Sequence, residues 1–164
     1  SLANRLSGIT LDVLIHNAGV SGRAGIASLD SESVLETLNI NSVGALRVVQ
    51  AFLPNLRRSR ARAKIALITS LMGSIDDNRS GGAYAYRMSK AALNMAGKSM
   101  ALDLADEGID VIILHPGWVR TDMGGPAARI GVEESVNGMM QQLDRLDPSK
   151  SGTFWHSNGE QLPW

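Results

Sequence analysis

The chain has 164 residues, 44% of them hydrophobic and 20% charged, an ordinary length for one domain with enough apolar material for one sizeable core. Sixteen basic and sixteen acidic residues cancel, so no net field draws the chain toward nucleic acid or an anionic membrane. The lack of cysteine removes disulfides, thiolate chemistry and zinc ribbons, and no apolar run approaches the roughly 20 residues of a membrane span. The N-terminus lacks a charged region followed by an apolar one, so the expected location is cytoplasmic and the expected partners are small molecules.

In chain order, residues 12–16 read as a strand. A helix then starts at Ser33, where Glu36 three residues on completes a capping-box pattern. Val34, Leu35, Leu38, Leu46, Val49 and Leu53 recur along one face of it, and Pro54 ends or kinks it. Residues 64–69 form the next strand. A long helix over 83–107 carries Ala91, Met95 and Leu102 on one stripe and stops at Gly108. Residues 110–114 give a third strand, and Val132, Val136, Met139, Met140, Leu143 and Leu146 mark a shorter helix. Residues 153–156 add a last strand. This alternation predicts an α/β fold on a parallel sheet, one domain over 1–164. The unbroken runs VLI, IALI and VIIL predict strands covered on both faces.

In parallel sheets, ligands sit beyond the carboxyl ends of the strands. Three such ends carry polar or glycine-rich turns: His16-Asn17-Ala18-Gly19, Ser70-Leu71-Met72-Gly73 and His115-Pro116-Gly117. Tyr86 and Lys90 are four apart on the long helix and share a face. A phenol of ordinary pKa about 10 is a poor proton carrier at neutral pH, and a nearby ammonium would lower it. A Ser70 hydroxyl could donate to a carbonyl oxygen while Tyr86 delivers the proton, so the set suits stabilisation of a developing alkoxide. The plain alternative is a surface tyrosine beside a solvated lysine. Tyr84 lacks a charge to tune it, since its fourth neighbour is Met88.

Other candidates have plainer readings. Ser74 reads as a turn hydroxyl and Ser89 as a helix-surface one, and Met88, Met95, Met100, Met139 and Met140 as core fillers. His16, His115 and His156 are too scattered for a metal site and read as satisfied turn histidines. Arg57, Arg58, Arg60, Arg62 and Lys64 read as a solvated connection.

Tyr86-Arg87-Met88-Ser89-Lys90, preceded by Ser70 and Asn17-Ala18-Gly19 and followed by PGWVRT, resembles the short-chain dehydrogenase/reductase family. Within it the stretches GGAYAYRMSKAALNM and HPGWVRTDMGGP and the closing Pro163-Trp164 are similar to the C-factor group, which is associated with intercellular signalling. The resemblance implies an NAD- or NADP-dependent oxidoreductase acting on a carbonyl/alcohol pair. It implies Tyr86 as catalytic acid or base, Lys90 as its tuner and ribose ligand, and Ser70 as substrate-orienting hydroxyl. Asn41 would hold a water in the proton relay; Asn39 competes, and the N-x-x-G spacing to Gly44 favours Asn41. Asn17, Ala18 and Gly19 would line the cofactor groove, and Pro116, Gly117, Val119 and Thr121 would meet the nicotinamide carboxamide.

Two departures stand out. His16 occupies a place where the family usually has a second asparagine, and no TGxxxGxG turn precedes Leu11. The fold implied is the C-terminal part of a doubly wound Rossmann-type sheet with its first βαβ units absent. Only the nicotinamide half of the cofactor site is then expected, with weak binding by this chain alone. The residue that selects NAD or NADP is missing as well. An apolar sheet edge would be open to another chain, whether a second copy or a partner. A non-enzymatic signalling or binding protein on the same fold is the competing expectation.

Overall fold

The computed structural model describes residues 2–22 and 24–164. Four strands, β1 (Val13–His16), β2 (Ala63–Ile68), β3 (Ile109–His115) and β4 (Thr153–His156), form one parallel sheet in that order. A short helix α1 (Leu2–Arg5) precedes it. Helices α2 (Ser31–Leu38) and α3 (Gly44–Leu56) join β1 to β2, α4 (Tyr84–Asp103) joins β2 to β3, and α5 (Val132–Asp144) joins β3 to β4.

Register decides which side chains go where. Ile65, Leu67 and Val111 point to the face covered by α3 and α4, where Val49, Leu56, Leu93 and Met100 complete the main core. Ala66, Ile68, Ile112 and Leu114 point the other way, toward Leu143 and Leu146. Each connection steps one strand along the sheet in the same direction, yet α5 runs over the opposite face from α3 and α4. The β3–β4 connection therefore has the opposite hand to the other two, a departure from the near-uniform hand of parallel crossovers.

The expected burial of β1 on both faces does not hold. Leu14 and His16 turn inward, but Val13 and Ile15 are exposed, because β1 is the sheet edge and α5 does not reach over it. A groove of about 200 Å³ runs between Ile15, Ile68, Leu114, Met139, Met140 and Leu143.

Several helix expectations also need correction. The cap of the first long helix is Asp30, whose carboxylate accepts from Ser33 N–H at 2.8 Å; Ser33 lies inside the helix. Residues Asn39–Val43 form a π-helical turn that offsets the faces of α2 and α3, so Leu35 and Leu46 are exposed while Val34 and Val49 are buried. Pro54 sits inside α3 without ending it. On α4 the stripe of Met95 and Leu102 faces outward at 67% exposure each, and the buried face is Leu93, Gly97, Met100 and Ala101. Of the methionines read as core, Met88, Met95 and Met140 are exposed and Met100 is buried. The basic stretch is partly engaged: Arg57 pairs with Glu107 and Arg62 holds the buried Asp110 through two bonds of 2.9 and 2.7 Å.

These placements separate two helix faces by energy. Leu93→Ala is expected to cost about 2–5 kcal/mol in urea unfolding, while Met95→Ala or Leu102→Ala changes stability by within about 0.5 kcal/mol.

Candidate active site

The carboxyl ends of β1, β2 and β3 and the first turns of α4 converge, as the sequence led us to expect. Glycine sets the spacing. A Cβ at Gly73 would stand 2.8 Å from the Lys90 carbonyl carbon, so only glycine lets the turn after β2 lie directly on α4. Ser70 leaves β2 in extended conformation and its hydroxyl accepts from Met72 N–H at 3.2 Å. The Ser70 side chain is near enough to the Tyr86 phenol to hold its pKa down.

Lys90 is 4% exposed and donates to the Ile68 carbonyl at 3.0 Å. Its ammonium lies over the Tyr86 ring, 5.7 Å from the centroid. The electrostatics follow from burial. Desolvation pulls the Lys90 amine down from 10.5 to about 8, and among the described residues no carboxylate pairs with it. Desolvation also raises the Tyr86 phenol above its ordinary value, opposed by the neighbouring Ser70 side chain. The expected lowering of Tyr86 by Lys90 is therefore not what sets its shift: burial raises the phenol, and Ser70 is the influence that opposes it.

Asn41, buried in the π turn, uses its whole side chain. Its amide donates to the Val20 carbonyl at 2.9 Å and to Ser89 Oγ at 2.8 Å, and its oxygen accepts from Val20 N–H at 2.8 Å. The amide is thus a clamp between the Asn17-Ala18-Gly19 turn and α4, and its side chain has no hydrogen left for a relay water. Asn39 instead accepts from exposed Arg47 at 2.9 Å. Ser89, expected on the helix surface, is fully buried; it donates to the Tyr86 carbonyl at 2.8 Å, while Ser42 donates to the Ser89 carbonyl at 2.7 Å. Its place three residues after Tyr86 was the signal that could have shown it on the same face.

Asn17 and Ala18 are exposed at the end of β1, and Gly19 passes beside Lys90: a Cβ there would stand 3.3 Å from Asn41 Oδ1 and 3.4 Å from Lys90 Nζ. Pro116 and Gly117 leave β3, with Gly117 at φ +86°, and the Pro116 carbonyl accepts from Ser135 at 2.6 Å and Ser157 at 3.1 Å. Val119 bridges to Ile130, and Thr121 Oγ1 accepts from Gly124 N–H at 3.2 Å. Among the described residues no hydrogen bond joins these four to Tyr86 or Lys90. Met123 closes the loop instead, its sulfur 4.0 Å from the Tyr86 hydroxyl.

The histidines are not all satisfied. His115 and His156 meet edge to face at 4.8 Å, and burial with the neighbouring His156 pushes His115 down to about 3. The Nδ1 atoms of His16 and His115 have no hydrogen-bond partner. No group of three or more metal-binding side chains occurs among the described residues, nor a helix long and apolar enough to cross a membrane.

The family model of short chain dehydrogenases matches residues 4–129, most of the chain and all of the turns just described. The chain belongs to this family. C-signal of Myxococcus xanthus is 51% identical over 155 residues, covering 94% of this chain and 93% of that protein. A 1-hydroxy-2-glutathionyl-2-methyl-3-butene dehydrogenase of Rhodococcus sp. (strain AD45) is 41% identical across the whole chain and 74% of its own length. Among solved structures, the carbonyl reductase Sniffer of D. melanogaster superposes with a TM-score of 0.94 at 37% identity, covering 99% of this chain and 72% of that one. An NADPH-bound carbonyl reductase from chicken fatty liver gives 0.91 at 37% identity, with 99% and 69% covered. This short-chain dehydrogenase is thus a Rossmann-type oxidoreductase by family and fold, and is shorter than the dehydrogenase and the two reductases it resembles.

The Lys90 shift has a consequence for folding. An amine with a depressed pKa binds its proton more weakly in the fold than in the unfolded chain, so the unfolded state holds the extra proton between pH 8 and 10.5. The burial penalty, about 3 kcal/mol, is fully present below that window and is relieved as pH rises through it. Lys90→Met is expected to raise stability at neutral pH and to abolish the rise through the window, measured by urea unfolding at several pH values.

Proposed function

We propose that this site performs the proton-transfer half of an NAD(P)-dependent interconversion of a carbonyl and an alcohol. The observation that carries the proposal is the Tyr86 phenol beside the buried Lys90 amine, 5.7 Å from ring centroid to nitrogen, with Ser70 at the buried end of β2 acting on the same phenol.

In the reductive direction a substrate carbonyl accepts from Ser70, and Tyr86 O–H breaks as the substrate O–H forms. Burial supports this direction: a phenol held above its ordinary pKa stays protonated at neutral pH and is ready to donate. Lys90 balances the phenolate that remains. Asn41 and Ser89 hold the two sides in register, and Met123 covers the Tyr86 hydroxyl at the mouth, where entering substrate must move it.

The residues present suit the nicotinamide end of a dinucleotide. Gly19 leaves open space against Lys90 that a Cβ would fill, and Lys90 lacks a carboxylate partner among the described residues. Asn17, Ala18, Gly19, Tyr86 and Lys90 would hold the ribose side, and Pro116, Gly117, Val119 and Thr121 the carboxamide side. When bound, reduced nicotinamide would supply the hydride. The sequence contains no TGxxxGxG turn to cradle the pyrophosphate, so the chain alone binds a dinucleotide weakly.

A second reading is favoured by one observation, the 51% identity to C-signal across 93% of that protein. On it the chain acts as an intercellular signal and its pocket is not used for turnover. Reduction of a carbonyl panel, followed by loss of reduced nicotinamide absorbance, separates the two. Tyr86→Phe is expected to lower turnover by about 10²–10⁴-fold. Equal rates for wild type and variant, with signalling kept by Tyr86→Ala, would favour the second.

A further inference from the structure

His16 ends β1 and pairs in register with Leu67, so its side chain lies on the α3–α4 face with Leu67 rather than beside the groove under Ile15. It is 5% exposed, and its Nδ1 has no hydrogen-bond partner. Lys90 comes from the same face and donates to Ile68, the residue after His16's partner in β2. After burial itself, the Lys90 charge is the next influence holding the imidazole below its ordinary pKa. Among the described residues, Lys90 is the charged group that acts on His16. Its neighbours in β2 are Leu67 and Ile68, and the π turn contributes the neutral Asn41 amide beside Gly19.

Two basic side chains thus lie buried at neighbouring positions of the β1–β2 strand ends, with no carboxylate paired to Lys90 among the described residues. Such a pair holds one proton readily and a second only against repulsion. A purely structural residue in this place gains nothing from a titratable ring, and leaving a buried polar atom unpaired costs about 1–3 kcal/mol. Asparagine or an apolar side chain would fill the space without the like-charge conflict.

We propose that His16 is a second proton-handling residue of this site, acting through Lys90. The proposal rests on the reading of Tyr86 and Lys90 as the proton machinery. When Tyr86 has given its proton to the substrate oxygen, the phenolate is reprotonated at the expense of the Lys90 ammonium. The neutral amine then regains its proton from the imidazole, one ring nitrogen releasing as the other takes a proton from hydronium or a buffer acid in solvent. The ring is left as the opposite tautomer and returns to the first by proton exchange with solvent, which supplies the net proton.

Two readouts test this on the whole chain. The first is an NMR titration with labelled lysine side chains and histidine rings, on wild type, His16→Gln and Lys90→Met. The Lys90 signal is expected to show its main inflection near about 8 and a smaller step where His16 titrates. His16→Gln removes that step, and Lys90→Met moves the His16 titration upward. The second readout is carbonyl reduction with NADPH. His16→Ala is expected to lower kcat about tenfold with KM unchanged, and added imidazole to restore part of the loss, which a structural role would not allow. Tyr86→Phe is run beside it; if that variant reduces as fast as wild type, the reading of the site fails separately. Titration curves that ignore each other's replacement, or a His16→Ala loss that imidazole leaves untouched, overturn the proposal. Where turnover is too low to measure, the titration decides alone.

Discussion

One buried amide holds the site together. The Asn41 side chain ties the backbone of Val20, on the turn after β1, to Ser89, which sits between Tyr86 and Lys90 on α4. Each of its hydrogens and its oxygen is engaged, at a fully buried position. The π turn is what makes this reach available. The extra residue in that turn rotates Asn41 inward between two helices whose own buried faces would otherwise run continuously. Gly73 does the corresponding work on the other side, bringing the Ser70 turn against the α4 backbone.

Within that frame the chemistry comes from burial rather than from paired charge. A buried lysine without a carboxylate and a partly buried tyrosine each shift toward their neutral forms, the amine downward and the phenol upward. The fold loses stability by keeping Lys90 there, and the opposite-handed α5 connection is a further departure from the usual pattern. The costs that fall at the strand ends are concentrated on residues that can move a proton, which is where strain and unpaired polar atoms are expected to have a use.

The α/β class, all four strands and the convergence of three turns were legible in the sequence, because continuous apolar runs and glycine-rich strand ends are local signals. Tyr86, Lys90 and Ser70 were legible for the same reason: spacing on one helix and position after one strand. What could not be read was which helix face turns inward. Met95 and Leu102 continue an apolar period on α4, yet the sheet packs against Leu93, Gly97 and Met100, a choice made by close approach at Gly97 to Ile113 and Leu67. The π turn shifted Leu35 and Leu46 outward by the same kind of tertiary effect. Ser89 and the direction of the Tyr86 shift were missed because both depend on burial, which no single-residue pattern carries. His16 stood out in sequence only as an unusual residue; register with Leu67 is what turns it toward Lys90.

The central claim is that burial raises the Tyr86 phenol while the neighbouring Ser70 hydroxyl holds it lower. The chain has two tyrosines, so Tyr84→Phe leaves Tyr86 as the one phenol to follow by ultraviolet absorbance against pH. The account predicts a midpoint above the ordinary 10.0, and a further upward move in Ser70→Ala, since Ser70 is the influence that lowers it. A midpoint at or below 10.0, or one that Ser70→Ala leaves in place, would contradict it.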